Sequence, residues 1–506
     1  MCPFESRDRD RSLCLFLSLL LVMGSVTRGR ENDNMTKSLK SIVKKLWEIP
    51  KMEHFRLMAL IDKVQEFFLW GLIFCLPFSK SLMEILFTCM FVLWIIKRVL
   101  IYRGERKVSI LAMFKPVSTK LNFPIFVFFI VNFASTITSV SIFLSLEGLF
   151  LKLFEYIAMY FIMVEVMSDT KKRDKVLIAV LLSVVLITIN GIVQYLVGKG
   201  FIRGYSFSGQ GWIQSSFGNQ NDFAAWLILM LSPVLALAYF WMESWRDHFG
   251  KFAQAVRSMR FVLWTLTVFL ITCLIFAGSR GAWLSAIFSL IFLGIIMKNI
   301  RLLILIPIVV FICSLIVPNF VKERAKVLIQ SVAFSSPSAS IVSPPSSILS
   351  TPSSPAPSSS FNISLSPTVG DSISVRLKLW SEAIDIIKDF PIMGIGPNTY
   401  SIVAPSYKKQ ASTGFYPHNS YLHMAAEIGL LGLGTFLLTI LTLFVVALIK
   451  IIKTKDKFQR TLLAGFLAGL FGFLGHSIVD TNLFAIQLSM LMWMVMGIIV
   501  AIEKNG

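Results

Sequence analysis

Apolar residues along this chain come in long, nearly unbroken runs separated by short polar stretches. The runs fall at 64–78, 81–96, 121–140, 148–167, 176–198, 223–241, 261–278, 281–297, 301–318, 425–449, 462–479 and 484–502. None alternates with a period of two. Each approaches the ~20 residues that cross a hydrocarbon core as a helix. The pattern predicts an all-α polytopic membrane protein with about 12 transmembrane helices. The first run is short and ends at Cys75-Leu76-Pro77-Phe78, so it reads as a kinked or partial span. The pair 261–297 is broken only at Gly278-Ser279-Arg280-Gly281, which reads as a tight hairpin.

Composition agrees and narrows the class. Of 506 residues, 55% are hydrophobic and 15% charged, against about 25% charged in soluble domains. An ordinary soluble enzyme is excluded, and so is a disordered chain. The net charge of +20 would fit a nucleic-acid binder, but its placement says otherwise. Lys97–Lys120, Lys171–Lys175, Arg246–Arg260, Lys298–Arg301 and Lys450–Arg460 hold 7, 4, 4, 2 and 5 Lys and Arg. These segments follow the even-numbered runs, and the short segments after odd-numbered runs hold few or none. By the positive-inside rule the basic segments and both termini are cytoplasmic. Cys75, Cys89, Cys273 and Cys313 lie within apolar runs and read as small hydrophobes.

The domain organisation follows. Residues 1–63 form a cytoplasmic N-terminal segment. Within it, Arg7, Arg9 and Arg11 precede an apolar stretch, Leu13–Met23, too short to span, and Met35 is the expected true start. Spans one to nine occupy 64–318, and spans ten to twelve occupy 425–502. Between them, 319–424 is a large extracytoplasmic loop in two parts. Residues 331–360 contain 14 Ser and 6 Pro, and the Ser/Pro-rich stretch 331–367 reads as a disordered spacer. Over 371–390, Ile373, Leu377, Trp380, Ile384 and Ile387 recur at helical spacing, predicting an amphipathic helix ended by Pro391.

Candidate chemistry lies where the topology rule depletes cations. Arg203, Arg280 and Arg376 fall on the outer side, and arginine is suited to bidentate contact with phosphate. His418 and His423 precede span ten, where an imidazole can accept a proton near neutral pH. His476 lies close to Asp480 near the outer end of span eleven. Read alone, each of these also fits a surface, capping or core-packing role. The mid-span regions are nearly free of charge; Lys152, Glu155 and Glu165 of span four are the main exceptions and lie towards its ends.

The stretch Pro417-His418-Asn419-Ser420-Tyr421-Leu422-His423-Met424-Ala425-Ala426-Glu427-Ile428-Gly429-Leu430-Leu431-Gly432 resembles the signature of the O-antigen ligase and polymerase superfamily. Arg376-Leu377-Lys378-Leu379-Trp380 followed by Gly394-Ile395-Gly396-Pro397-Asn398 is similar to the same family's extracytoplasmic loop. Gly278-Ser279-Arg280-Gly281 and Phe217-Gly218-Asn219-Gln220-Asn221 resemble two further family segments, in the same order, with Gln220 where the family often has proline. The resemblance covers about residues 64–502. It implies a GT-C-like membrane fold and transfer of a glycan from an undecaprenyl-diphosphate donor at the outer face of the bacterial cytoplasmic membrane. It implies an inverting reaction with no cofactor and no metal. The acceptor it implies is lipid A-core, ahead of another carrier-linked repeat unit or a protein hydroxyl. His418 would be the base, with His423 as its competitor. Arg280, Arg376 and Arg203 would hold the diphosphate, and Asn419, Tyr421 and Glu427 would support.

The rival from another class is a transporter or flippase, whose site would lie at the midplane on broken, charged helices. The charge-free mid-spans speak against it. A scaffold whose Ser/Pro segment binds a partner is a further alternative.

Overall fold

The computed structural model describes residues 51–104, 116–208, 211–244, 253–316, 369–408 and 416–505. The expected leader-like stretch 1–34, Met35 and the Ser/Pro-rich 331–367 lie outside the described residues. Among the described residues the protein is all-α, with only an isolated bridge between Lys199 and Ser206.

The chain begins with a hairpin of α1 (Lys51–Cys75) and α2 (Lys80–Gly104). Next come α3 (Asn122–Ile137), a short α4 (Ile142–Glu147), a π-helical turn (Gly148–Leu153) and α5 (Phe154–Val166). Then follow α6 (Thr170–Val197), α7 (Gln220–Ser244), α8 (Ala253–Phe276), α9 (Arg280–Ile296) and α10 (Ile300–Ile316). After these come α11 (Val369–Asp389), α12 (Tyr400–Val403), α13 (Ser420–Lys453), α14 (Lys457–His476) and α15 (Ile486–Asn505). Lys172–Val197, Gln220–Phe240, Ser420–Lys453 and Lys457–His476 are long and apolar enough to cross a membrane, by length and composition. Several shorter apolar helices, Asn122–Ile137 and Arg280–Ile296 among them, accompany these four.

The first run belongs to a helix longer than the run itself. The helix that carries it, α1, starts at Lys51, well before the apolar stretch, and ends at Cys75. Its polar first half is held by packing: Leu57, Met58 and Ile61 meet Leu93, Ile96 and Leu100 of α2.

α7 is the central helix, and α14 lies along it. Their contact is made of small residues. A Cβ on Gly465 would fall 2.7 Å from Pro233 Cα, and one on Gly472 would fall 2.8 Å from Ile228 Cγ2. Gly469 approaches the Leu229 carbonyl in the same way. Where lipid removes the hydrophobic drive between helices, close backbone approach of this kind supplies the association. Ser289 Oγ of α9, held 2.7 Å from Ser232 Oγ of α7, donates to Ala468 O of α14 at 2.6 Å, so the buried hydroxyls are satisfied where the three helices meet. Large apolar side chains such as Phe123, Phe143, Phe261 and Ile300 lie on the outside of the bundle.

α13 is interrupted at Gly429, whose φ of 71° and ψ of 175° are open only to glycine. The interruption frees the carbonyls of Ala426 and Glu427. These accept from the N–H groups of Ile395 (3.0 Å) and Gly396 (2.8 Å), while Leu430 N–H donates to Pro391 O at 2.8 Å. The Gly394–Asn398 turn and the Glu427-Ile428-Gly429 break are therefore one structure. Ser135 and Ser145 fasten it to the α3–α4 corner through Met393 O (2.6 Å) and Pro397 O (2.9 Å).

α11 packs on this assembly, but not by the stripe that spacing predicts. Leu379, Ala383 and Ile386 are buried, whereas Leu377 and Ile384 are exposed. The partner surface decides: Ala383 and Ile386 meet Ile395, Tyr400 and Ala426, where only a small residue fits at the centre. Lys97–Asp62 (2.7 Å), Arg98–Glu165 (2.6 Å) and Lys175–Glu66 (3.0 Å) pair charges of α1, α2, α5 and α6 at the end of the bundle opposite this loop assembly.

Candidate active site

The loop-bearing end collects most of the residues singled out from the sequence. Asn419 caps α13: it is extended, buried, and its Oδ1 accepts from Tyr421 N–H (3.0 Å) and Leu422 N–H (3.1 Å). The residue before it, His418, is held at φ 46°, a left-handed conformation unusual for a side-chain-bearing residue and enriched at functional sites. Ser420 locks the segment onto the turn after α14. Its N–H donates to Ser477 O (2.8 Å) and Asp480 O (3.1 Å), and its Oγ donates to Asp480 O at 2.8 Å.

This places His418 Nδ1 3.3 Å from Asp480 Oδ1. A carboxylate only accepts, so Nδ1 is the donor in this contact. The imidazole is 42% exposed while the carboxylate is 7% exposed, so the ring is accessible and its anchor is buried. Burial pushes the Asp480 carboxyl up, but the hydrogen bond from His418, the adjacent His476 and His418 rings and the Thr481 N–H (2.8 Å) together hold it below the ordinary carboxylate range. Asp480 thus stands as an ionised partner at neutral pH.

Arg280 opens α9, and its neighbours Ser279 and Gly281 pack on the segment that precedes Asp480. Gly278 (φ 65°) turns the chain against the face of Trp212, and Gly281 packs on Val479, next to Asp480. Ser279 Oγ lies 3.4 Å from His476 Nε2, and His476 Nδ1 lies 2.9 Å from Asn482 Nδ2. His476 is buried and serves to join α9, α14 and the 477–485 turn. Arg376, in the third turn of α11, is within electrostatic range of His476. Arg203 is exposed on the 198–219 loop at φ 58°, stacked on Tyr205 at 5.1 Å and donating weakly to Ser216 O at 3.5 Å. Asp222, in the first turn of α7, lies within electrostatic range of both Asp480 and Lys80.

The other predicted residues have structural partners. Tyr421 Oη donates to Leu474 O at 2.8 Å. Glu427 Oε1 accepts from Tyr400 N–H at 3.1 Å and so fixes α12 to α13. His423 is 2% exposed, stacked on Phe484 with centroids 3.5 Å apart, and its Nε2 faces Glu427 Oε1 at 3.4 Å. Enclosed in this way, it is not placed to meet a substrate. Sequence reasoning paired Asp480 with His476 rather than His418, and it missed Asp222 and Lys80. The separation of 62 positions between His418 and Asp480 carries no spacing signal. Among the described residues no group of three or more His, Cys, Asp and Glu converges as metal ligands would.

An apolar helical bundle with an imidazole–carboxylate pair and arginines gathered at one end is a polytopic membrane protein with polar machinery at that end. Residues 265–437 match the family model described as O-antigen ligase, which places this region of the chain in the O-antigen ligase superfamily. Members of that family are glycosyltransferase-like enzymes that use lipid-linked glycans in a membrane. The match runs from α8 into α13 and so includes Arg280, Arg376 and His418, but not Arg203 or Asp480. No curated protein matched the chain.

Proposed function

We propose that this protein transfers a glycan from undecaprenyl diphosphate to a hydroxyl of lipid A-core at the outer face of the bacterial cytoplasmic membrane. In this reading the bundle is a GT-C-like fold of about 12 spans with both termini cytoplasmic. The His418 end faces outward, as the positive-inside rule requires.

The observation that carries the reading is the His418–Asp480 pair at 3.3 Å beside the start of α9. Nε2 of His418 takes the proton from the acceptor hydroxyl as its oxygen bonds to the anomeric carbon of the donor. The carbon–oxygen bond to the diphosphate breaks, and the lipid diphosphate leaves with the electron pair. One displacement inverts the anomeric centre. Asp480 holds the ring in the productive tautomer and stabilises the imidazolium that forms. Arg280 and Arg376, with Arg203 at the rim, neutralise the charge that develops on the leaving diphosphate. Asn419 sets the direction of His418 by capping α13, while Tyr421, Glu427 and His423 hold the surrounding helices in place. No step calls for a metal or cofactor.

The test is a transfer assay with purified protein in lipid nanodiscs, a prenyl-diphosphate-linked glycan and lipid A-core. Glycosylated lipid A-core with release of prenyl diphosphate supports the proposal. Extension of carrier-linked glycan alone would make the protein a polymerase, and glycan on a protein hydroxyl would make it a protein glycosyltransferase. Movement of intact donor across the bilayer without transfer would contradict the enzyme reading.

A further inference from the structure

Lys152 has no part in the site above, yet it is a half-buried cation at the same end of the bundle. It belongs to the π-helical turn Gly148–Leu153. Such a turn inserts a residue into the helix, re-aims the side chains around it, and recurs at functional sites. Lys152 Nζ donates to Asn398 Oδ1 at 2.7 Å. Asn398 is itself held at φ 63°, with its Cβ close over Gly148, where any added Cβ would fall 2.8 Å away. Among the described residues no carboxylate lies within ion-pair distance of Lys152.

The cation borders a cavity of about 120 Å³. Lys152, Asn398 and Glu427 line its polar side, and Phe128, Phe436 and Trp493 form its apolar wall. Phe128 meets Phe436 at 5.8 Å and Trp493 at 6.4 Å. Glu427 lies beyond ion-pair distance of the cation, its Oε1 taking the Tyr400 N–H and facing His423. A cation fixed by a neutral amide above an aromatic pocket is complementary to an anionic head on an apolar chain.

The cavity and the turn that anchors the candidate base share a residue. Phe484 lines the cavity and stacks on His423, and it sits four residues after Asp480 on the turn that anchors His418. The proposed function assigns the donor's diphosphate to Arg280, Arg376 and Arg203, none of which lines this cavity.

We propose that the Lys152–Asn398 cavity binds the phosphate of a lipid-anchored acceptor, with the first part of its chain on the aromatic wall. This inference rests on the transferase reading. Two lipids share the required chemistry, a prenyl phosphate and a phosphorylated lipid A.

The experiment is direct binding of a prenyl phosphate and of lipid A to the purified full chain, read by native mass spectrometry. An uncharged prenol and phosphatidic acid are the comparison probes. Lys152→Met should weaken the phosphate-bearing probe about tenfold, the scale of one charge-assisted contact. Lys152→Arg should restore much of the loss, and prenol binding should not change. Asn398→Ala should act in the same direction. The probe that depends on Lys152 identifies the acceptor class, and either one supports the site. In turnover, Lys152→Met should raise KM for acceptor and leave KM for donor unchanged. Unaltered binding of both probes by a folded Lys152→Met variant would overturn the proposal, as would equally tight binding of phosphatidic acid. Lys152-dependent binding by a wild type that transfers nothing would sink the transferase reading and leave the lipid-phosphate site standing.

Discussion

Nδ1 of His418 and Oδ1 of Asp480 meet at 3.3 Å across a separation of 62 positions, with the carboxylate buried and the imidazole accessible. Every member of the Ser420 clamp and the Asn419 cap serves this contact. Asp480→Asn should therefore keep the fold, since the amide is isosteric, but remove the charge that supports the imidazolium. A fall in kcat of about 10²-fold or more is expected, within the range of positioned proton transfer, with KM for donor little changed. Steady-state kinetics on the purified variant decide this, and a wild-type kcat would detach Asp480 from the chemistry.

The arginines should separate by position. Arg280, whose neighbours pack on the segment that precedes Asp480, and Arg376, near His476, should each cost about 10²-fold in turnover when replaced by alanine. Arg203→Ala should cost less, because Arg203 is exposed and stacks on Tyr205. Arg280→Lys should recover little, because a point charge does not reproduce a planar fork. Equal losses at all three positions in the transfer assay would contradict the ranking.

His423 and Glu427 are expected to behave as structural residues. Glu427→Ala strands the Tyr400 N–H and should cost about 1–3 kcal/mol of stability, visible as a lower Tm in detergent. Any fraction that remains folded should still transfer glycan, with any change falling on KM for the acceptor. A fully stable Glu427→Ala protein that is catalytically dead would place Glu427 in the chemistry instead.

Two glycines of one helix should respond oppositely. Gly429→Ala demands a left-handed alanine whose Cβ runs into Ile392 O, so no folded protein should be recovered. At Gly434 a Cβ meets nothing within 4 Å. Gly434→Ala should be tolerated and slightly stabilising, by about 0.5–1 kcal/mol. Expression and size-exclusion profiles of the two variants check the contrast.

Acid should act through Asp480. Its folded pKa lies below the unfolded value of about 3.9. Its stabilising contribution is thus complete above that value and fades as pH falls through the folded pKa. The Tm difference between wild type and Asp480→Asn should hold steady from neutral to mildly acidic pH and narrow below pH ~4. Thermal unfolding across that range tests it, and a difference that widens in acid would contradict the pairing.

Much of this was legible in the chain, and the remainder was not for definable reasons. The apolar runs locate the helices because burial and membrane contact both demand continuous hydrophobicity. Arg280 and His418 stood out because cations are rare in the segments between odd-numbered runs and the next. Gly429 was hidden, since Glu427-Ile428-Gly429-Leu430-Leu431-Gly432 reads as uninterrupted helix, and only the docking of Ile395 and Gly396 reveals the break. The face of α11 was misjudged because Ala383, a weak hydrophobe, occupies the tightest contact. Asp480 and Lys152 acquire their partners through tertiary contact with segments distant in sequence, and no local pattern encodes that.

The central claim is that His418, held by Asp480, is the proton acceptor in glycan transfer. The most direct measurement compares wild type and His418→Ala in single-turnover transfer and in donor binding, on the same purified protein. The rate of transfer should fall by about 10²- to 10⁴-fold while donor affinity and Tm stay near wild type. Transfer by His418→Ala at the wild-type rate, with the donor bound normally, would contradict the account.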